Sequence, residues 1–213
     1  MNKLWMVLVL LLAGCAGEVT EPNVLIIGDS ISIGYTHGVR NKRKGVDRLP
    51  GFYIRHNPGN AETSDHTIMH LDEWLAPHQW NIIHWNNGIW DIHHYWSKDF
   101  TEARTADTIA TYRANMEFIA NRLDKTGAIV IIATTTPIPG TPPEIEKRYN
   151  QVILDIAQEH GYIVDDLYTL MLPYPNLHPF PTSMHYVNEG YRLMGAQVAQ
   201  TIEQAWYDRQ KHN

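Results

Sequence analysis

The sequence has only one cysteine, Cys15, among its 213 residues, and it has few basic side chains. A lone cysteine cannot form an intramolecular disulfide, and a chain of this length with 44% hydrophobic residues can bury one sizeable core instead. Its 17 Lys and Arg against 23 Asp and Glu give a net charge of −6. No basic stripe is available to neutralise phosphates, which argues against a nucleic-acid partner.

The sequence also lacks, at its N-terminus, an apolar run long enough to span a bilayer. The apolar run there, Leu4–Leu12, follows Lys3 and leads into Ala13-Gly14-Cys15. A positive residue followed by a short apolar run is typical of a signal peptide. Its end resembles the lipobox of bacterial lipoproteins, which implies cleavage before Cys15 and a diacylglyceryl group on the Cys15 thiol.

The lipobox resemblance divides the chain into a lipoprotein signal peptide (1–14), a tether (15–22) and a single domain (23–213). Ala16 follows the cysteine, and in Gram-negative bacteria this residue suits the outer membrane. We therefore expect a protein of the bacterial cell envelope that contacts the outer membrane through a lipid anchor at Cys15, because several acyl chains hold a protein firmly at a membrane surface.

Beyond the tether, strand-like and helix-like segments alternate, which is typical of an α/β domain with a parallel sheet. The strands are predicted at 23–27, 51–56, 81–85, 128–133 and 162–164. The helices are predicted at 63–75, 101–123, 144–160 and 188–208. The sequence shows no internal repeat and no sign of a second domain.

The first strand, Asn23–Ile27, is aliphatic from Val24 onward and is followed by Gly28-Asp29-Ser30. The glycine frees the backbone for a sharp turn, and Asp29 is expected to bond locally within that turn. The Ser30 hydroxyl is then presented at the carboxyl edge of the sheet, where open α/β sheets bind their ligands. These residues alone fit an ordinary strand-to-helix turn with a capping serine equally well.

A second block near the other end of the chain changes this interpretation. His185 is followed five residues later by Gly190-Tyr191 at the start of the last predicted helix. Together with Gly-Asp-Ser after the first strand, this pattern resembles the SGNH (GDSL-type) hydrolase family over residues 23–206. The resemblance implies a three-layer, flavodoxin-like α/β fold with a five-stranded parallel sheet of order 2-1-3-4-5. It also implies a site that needs no metal and no other cofactor.

The same resemblance implies roles for individual positions. Ser30 matches the nucleophile and His185 the general base, and the oxyanion hole would be formed by the amides of Ser30 and Gly59 with an Asn side chain. The usual Asn position is occupied here by Trp90.

Asn86 and Asn87 precede the glycine of this block, and each could supply the missing amide. Their side chains point to opposite faces of an extended strand, so only one is expected to reach the oxyanion. Asn86 is the preferred candidate and Asn87 the alternative.

The largest departure from the family pattern lies three residues before His185, where Thr182 replaces the aspartate that orients the catalytic imidazole. Three interpretations stay open. Ser30 and His185 act as a dyad, with a backbone carbonyl or Thr182 orienting the ring; a carboxylate from elsewhere substitutes; or the protein has lost catalysis and kept a binding cleft. The candidate carboxylates are Asp165, Asp166 and Glu189.

The resemblance and these residues together predict a serine ester hydrolase that deacetylates an O-acetylated carbohydrate through an acyl-enzyme on Ser30. The alternatives are a catalytically silent, glycan-binding envelope lipoprotein, or a lipase or thioesterase of the same fold. His178 is a rival for the general base, but the residues after it lack the helix start that follows His185. His93 and His94 are adjacent and lack a third well-spaced ligand, so they are not assigned to a metal site.

Overall fold

The computed structural model describes residues 21–37, 45–93 and 101–212, and its centre is a sheet of five parallel strands. The strands are β1 (Asn23–Ile27), β2 (Tyr53–His56), β3 (Ile82–Trp85), β4 (Ile129–Ala133) and β5 (Ile163–Asp165). Their spatial order is β2-β1-β3-β4-β5, which confirms the predicted fold and strand order.

β1 is an interior strand between β2 and β3, and its composition suits this position. Its residues from Val24 to Ile27 are fully buried, as are all four residues of β3, because helices cover both faces of the sheet. Ile26 of β1 pairs with His56 of β2 on one side and with His84 of β3 on the other. Ser30 is therefore presented close to the middle of the carboxyl edge of the sheet.

Seven helices surround the sheet in the described part of the chain. They are α1 (Ser30–Thr36), α2 (Ser64–Leu75), α3 (Ile89–His93), α4 (Glu102–Asp124), α5 (Pro143–His160), α6 (Leu167–Met171) and α7 (Asn188–His212). α1 packs against α7, whereas α4 packs against both α2 and α5. Single turns of 3-10 helix occur at Val46–Arg48 and Pro175–Leu177.

Local sequence signals set several of these boundaries. The Thr63 side chain accepts a hydrogen bond from the His66 amide and caps α2. α5 ends at Gly161, which adopts the left-handed conformation that terminates many helices. β2 begins at Tyr53 rather than at the predicted residue 51, because Gly51 lies in a turn with a φ of 77°.

The predictions for the N-terminal segment fall largely outside the described residues. They concern the signal peptide (1–14), Cys15 and most of the tether; His94 also lies outside the described residues. Within the described ranges, every helix is too short or too polar to cross a membrane. The lipid anchor and the division into signal peptide, tether and domain therefore stay predictions.

Candidate active site

The turn after β1 holds Ser30 at the first position of α1. Asp29 caps this helix, since its Oδ1 accepts a hydrogen bond from the Ile31 amide at 2.8 Å. This confirms the predicted local bond of Asp29. The Asp29 carboxyl group is fully buried, and burial raises its pKa to about 6.

Gly28 is required here for a different reason from the one predicted. Its φ lies outside the left-handed region, so the turn does not depend on glycine's extra backbone freedom. A Cβ atom at position 28 would instead lie 2.6 Å from Ser32 Oγ and 2.8 Å from Ser32 Cβ. Glycine therefore allows the end of β1 to approach the first turn of α1 closely.

The structure brings the two ends of the motif together. His185 Nε2 lies 3.0 Å from Ser30 Oγ, although the residues are 155 positions apart in the sequence. The distance is within hydrogen-bond range, as required between a nucleophile and its base. Partial burial lowers the pKa of His185 below its usual 6.5, so the imidazole is neutral at pH 7 and able to accept a proton.

The segment before α7 fixes the backbone of His185. The His185 amide donates a hydrogen bond to Ser183 Oγ at 3.1 Å, and its carbonyl oxygen accepts one from His178 Nδ1 at 3.0 Å. The His178 ring also packs on Tyr186, with 4.2 Å between ring centroids. His178, the rival for the base, thus contacts the backbone of His185 rather than Ser30.

The second nitrogen of the His185 ring, Nδ1, has no hydrogen-bond partner among residues 21–37, 45–93 and 101–212. Thr182 is exposed, and in the part of the chain that the structure describes it has no hydrogen bond to the ring. Glu189, at the start of α7, pairs with Arg192 through both of its carboxylate oxygens. The prediction that Thr182 orients the imidazole is therefore wrong.

The two aspartates at the end of β5 are engaged elsewhere. Asp165 is buried and accepts hydrogen bonds from His84 Nε2 at 3.0 Å and from Gln197 Nε2 at 2.8 Å. Asp166 caps α6 and accepts a hydrogen bond from Thr134 Oγ1 at 2.9 Å. The prediction that Asp165 or Asp166 substitutes for the missing carboxylate is therefore also wrong.

The loop after β2 holds the nucleophile turn in place. Asn57 Oδ1 accepts a hydrogen bond from the Gly28 amide at 2.9 Å, and the Ala61 amide donates to the Gly28 carbonyl oxygen at 3.0 Å. Gly59 lies on the exposed part of this loop with a φ of 70°. Its role as an oxyanion donor stays a prediction.

Asn87 has a structural role that its sequence position did not reveal. Its Oδ1 accepts hydrogen bonds from Trp85 Nε1 at 2.8 Å and from Thr67 Oγ1 at 3.1 Å, and its Nδ2 donates to the Glu62 carbonyl oxygen. The side-chain amide is thus occupied on both sides. The alternative assignment of Asn87 to the oxyanion hole is wrong.

The side-chain Nδ2 group of Asn86 makes only long hydrogen bonds. Its side chain is buried at the end of β3, and Nδ2 reaches the carbonyl oxygens of Ala133 and Thr134 only at 3.4 Å each, near the limit for a hydrogen bond. Asn86 therefore stays the candidate for the side-chain donor of the oxyanion hole.

Asp91, which follows Trp90, links α3 to the start of α2. Its Oδ1 accepts hydrogen bonds from the Ser64 amide at 3.0 Å and from Ser64 Oγ at 2.6 Å. Burial raises the pKa of Asp91 to about 7. Nowhere in the described residues do three or more His, Cys, Asp or Glu side chains group in a way that could hold a metal ion.

Three residues that support the site were not predicted from the sequence: His56, Asn57, and His178 in its actual role. Both His56 and Asn57 lie at the carboxyl end of β2, and their position beside the end of β1 in the predicted strand order was the available signal. His178 lies in a loop without periodicity, so no sequence signal placed its ring on the His185 carbonyl.

Comparisons with known proteins agree with this geometry. The model of the GDSL-like Lipase/Acylhydrolase family matches residues 26–193, which include both Ser30 and His185. A search of curated proteins found no match.

Solved structures share the fold at low sequence identity. An acetyl xylan esterase is 14% identical with a TM-score of 0.66, covering 84% of this chain and 99% of its own. An acetylxylan esterase from Geobacillus stearothermophilus is 16% identical with a TM-score of 0.66, covering 85% of this chain and 94% of its own. A GDSL-like lipase from Bacteroides thetaiotaomicron is 19% identical with a TM-score of 0.63, covering 87% and 89%. Catalytic mutants of the Geobacillus enzyme carry alanine in place of a serine or a histidine.

Proposed function

The chain belongs to the GDSL-like lipase/acylhydrolase family and is a serine ester hydrolase, and on that premise we propose that Ser30 is its nucleophile and His185 its general base. The observation that carries the proposal is the 3.0 Å distance between Ser30 Oγ and His185 Nε2. The catalytic serine and histidine mutants of the Geobacillus esterase support the same pair of residue types.

The reaction proceeds in two steps through an ester on Ser30. Ser30 Oγ attacks the carbonyl carbon of the substrate as its proton passes to His185 Nε2. The tetrahedral intermediate collapses when the imidazolium protonates the leaving alcohol. His185 then takes a proton from a water molecule, which attacks the acyl-enzyme, and the acid leaves as Ser30 recovers its proton.

Three donors are proposed to stabilise the oxyanion: the amides of Ser30 and Gly59 and the side chain of Asn86. Fixed donors of this kind contribute on the order of 3 kcal/mol each to the transition state, because they are aimed at the charge as it develops. The weak contacts of Asn86 Nδ2 leave this group free to donate to the substrate oxygen.

Ser30 and His185 act as a dyad rather than a triad. Ser183 and His178 hold the backbone of His185, and no carboxylate of the described residues is hydrogen-bonded to the imidazole. Because the ring is exposed, water can solvate Nδ1–H when the imidazolium forms. This arrangement keeps the base in position but forgoes the charge stabilisation that an aspartate supplies.

The substrate is proposed to be an O-acetylated carbohydrate, from which the enzyme removes acetate. Support comes from the acetyl xylan and acetylxylan esterases among the structures that share the fold. A lipase or thioesterase activity is the alternative within the same fold. Neither a metal nor an organic cofactor takes part in the proposed steps.

The enzyme is further proposed to be a lipoprotein of the bacterial outer membrane, anchored at Cys15. The support is the lipobox-like Ala13-Gly14-Cys15 after an apolar run. The test is incorporation of a palmitate label by cells that express the full chain. The label should be lost in Cys15→Ala, and a label that survives this substitution contradicts the anchor.

The experiment that tests the catalytic proposal measures hydrolysis of p-nitrophenyl acetate by the purified protein. Ser30→Ala and His185→Ala are each expected to lose at least about 10³-fold in kcat/KM. His78→Ala, which alters an exposed histidine at the opposite edge of the sheet, should keep the wild-type rate. Equal rates for wild type and Ser30→Ala would overturn the proposal and favour a silent glycan-binding protein.

A further inference from the structure

A cleft of about 650 Å³ opens between the β4–α5 loop and the chain that connects α6 to α7. Six prolines and one exposed phenylalanine, Phe180, supply apolar rings to its wall. The prolines are Pro137, Pro139, Pro143, Pro175, Pro179 and Pro181. We call this feature the proline cleft. Its volume lies in the range of about 300–1,000 Å³ that is usual for small-molecule sites.

The proline cleft is continuous with the loop that carries His185. His178 lines the cleft and donates a hydrogen bond to the His185 carbonyl oxygen at 3.0 Å. Tyr186 OH donates to the carbonyl oxygen of Pro137, in the opposite wall, at 3.2 Å. The base and the cleft wall therefore share one stretch of backbone that is anchored at both of these points.

The chemistry of ester hydrolysis determines which part of a substrate lies on this side. The leaving oxygen must lie within reach of His185 Nε2, since that nitrogen protonates it. The carbonyl oxygen must instead face the oxyanion donors, which follow β1, β2 and β3. The alcohol portion therefore extends past His185 toward the loops that follow β4 and β5, where the proline cleft lies.

The lining of the proline cleft suits sugar rings. A pyranose has flat C–H faces that pack on aromatic and proline rings, and hydroxyl groups at its rim that need polar partners. Phe180 supplies an aromatic face that is 59% exposed, and Glu146 and Tyr168 supply polar groups inside the cleft. Glu146 Oε1 already accepts a hydrogen bond from the Ile138 amide at 2.7 Å, which fixes this carboxyl group in the cleft wall.

We propose that the proline cleft binds the carbohydrate portion of the ester, with Phe180 stacking on a sugar ring next to the acetylated position. The inference rests on the proposed esterase function and deepens it by assigning the alcohol side of the substrate to named residues. Because an acetyl group is small, contacts in this cleft determine which esters are preferred.

Two substrates that differ in their alcohol portion test the proposal. Acetylated xylotetraose can fill the proline cleft, whereas p-nitrophenyl acetate has a single small leaving group. Phe180→Ala should lower kcat/KM for acetylated xylotetraose at least about fivefold more than for p-nitrophenyl acetate. The matched control is Phe118→Ala on α4, where the phenylalanine is 56% exposed; its ratio of the two kcat/KM values should equal that of the wild type.

Binding gives a second readout that does not depend on turnover. Unacetylated xylotetraose should bind to Ser30→Ala protein, and adding Phe180→Ala should weaken the Kd at least about fivefold in calorimetry. An equal effect of Phe180→Ala on both esters, or an unchanged Kd, overturns the assignment of the cleft. Binding without any ester hydrolysis by the wild type would keep the cleft and overturn the esterase function instead.

Discussion

Ser32 Oγ lies 2.6 Å from His56 Nε2, which joins the first turn of α1 to the end of β2. The other ring nitrogen, Nδ1, lies 2.8 Å from the carbonyl oxygen of Asn57. A carbonyl oxygen only accepts, so in the neutral ring Nδ1 carries the proton and Nε2 is an acceptor. The single hydroxyl proton of Ser32 is shared between His56 Nε2 and the Asp29 carbonyl oxygen, which lies 2.7 Å from Ser32 Oγ. This contact lies two residues after Ser30 and fixes the strand ends on which Ser30 depends.

His56 makes the stability of the protein depend on pH. Burial lowers its pKa to about 4 from 6.5, so between these values the unfolded chain binds a proton that the folded protein excludes. The contribution of His56 is complete above pH 6.5 and is lost as the pH falls toward 4, by on the order of 2–3 kcal/mol. The free energy of unfolding in urea can be measured for wild type and His56→Gln at pH 4.5 and at pH 7. The difference between the two proteins should be smaller at pH 4.5 than at pH 7.

The control for this measurement is His78→Gln, which alters an exposed histidine. Its difference from wild type should be the same at both pH values. A difference between wild type and His56→Gln that does not change with pH would contradict the burial of a neutral imidazole.

Asp91 should produce the opposite dependence. Its pKa is raised to about 7, so the folded protein holds a proton that the unfolded chain has already released. The stability from this group is complete below about pH 4 and is lost as the pH rises through 7. Relative to Asp91→Asn, wild type should therefore be more stable at pH 4.5 than at pH 8, by roughly 2–4 kcal/mol in urea unfolding.

Asp72→Asn serves as the matched control for Asp91, since its carboxylate lies on the exposed face of α2. The difference in free energy of unfolding between Asp72→Asn and wild type should not change between pH 4.5 and pH 8 as it does for Asp91→Asn. The assignment fails when both variants change with pH to the same extent.

The close approach at Gly28 predicts coupling between two positions. Gly28→Ala should cost about 1–3 kcal/mol of stability and reduce esterase activity, because the new methyl group meets Ser32. Removing the obstructing side chain in Gly28→Ala/Ser32→Gly should make the double variant more stable than the sum of the two single effects predicts. Additive effects in the denaturation cycle would show that the methyl group is accommodated in another way.

Asn86 and Asn87 should respond differently to the same change. Asn87→Ala removes the acceptor of the buried Trp85 indole N–H and a donor to the Glu62 carbonyl oxygen, and it should lower the free energy of unfolding by about 2–4 kcal/mol. Asn86→Ala should lower kcat for p-nitrophenyl acetate by about 100-fold or more with a smaller loss of stability. A catalytic loss confined to Asn87→Ala would reverse the assignment.

Restoring a carboxylate at Thr182 should change the pH dependence of the reaction. Thr182→Asp places a negative charge three residues before His185, and a nearby opposite charge raises the pKa of an imidazole. The acidic limb of the kcat/KM profile should shift upward by roughly one unit, with kcat unchanged or higher. The neutral variant Thr182→Asn should keep the wild-type profile, and a large loss of activity in both variants would mean that the threonine has a specific role.

The strands and the nucleophile turn could be predicted because their signals are local, whereas the strand order was implied by the family resemblance. β1 is a mainly aliphatic run, β3 is a short run with two isoleucines and a tryptophan, both are followed by polar residues, and Asp29 caps a helix within its own turn. Such features depend on residues a few positions apart. The short helices α3 and α6 were not predicted, since five residues give too little periodicity to detect.

The partners of the polar side chains could not be predicted in the same way. Asp165 was a plausible partner for His185 by its position at the end of β5. In the structure its carboxylate instead accepts hydrogen bonds from His84 in β3 and Gln197 in α7. Asn86 and Asn87 were correctly expected to point apart. Which of the two asparagines accepts the hydrogen bonds of Trp85 and Thr67 depends on how α2 packs beside β3. This tertiary packing cannot be predicted from neighbouring residues in the sequence.

The route of the chain into the sheet has a practical consequence. The carbonyl oxygen of Pro22 accepts a hydrogen bond from the Tyr53 amide at the amino edge, whereas Ser30 lies at the carboxyl edge. Five strand residues at about 3.3 Å each separate the two edges by roughly 17 Å. A bead, sensor chip or vesicle attached to the protein through residues before Pro22 would thus lie next to the amino edge of the sheet. Ser30, at the carboxyl edge, would stay accessible to dissolved or polymeric esters.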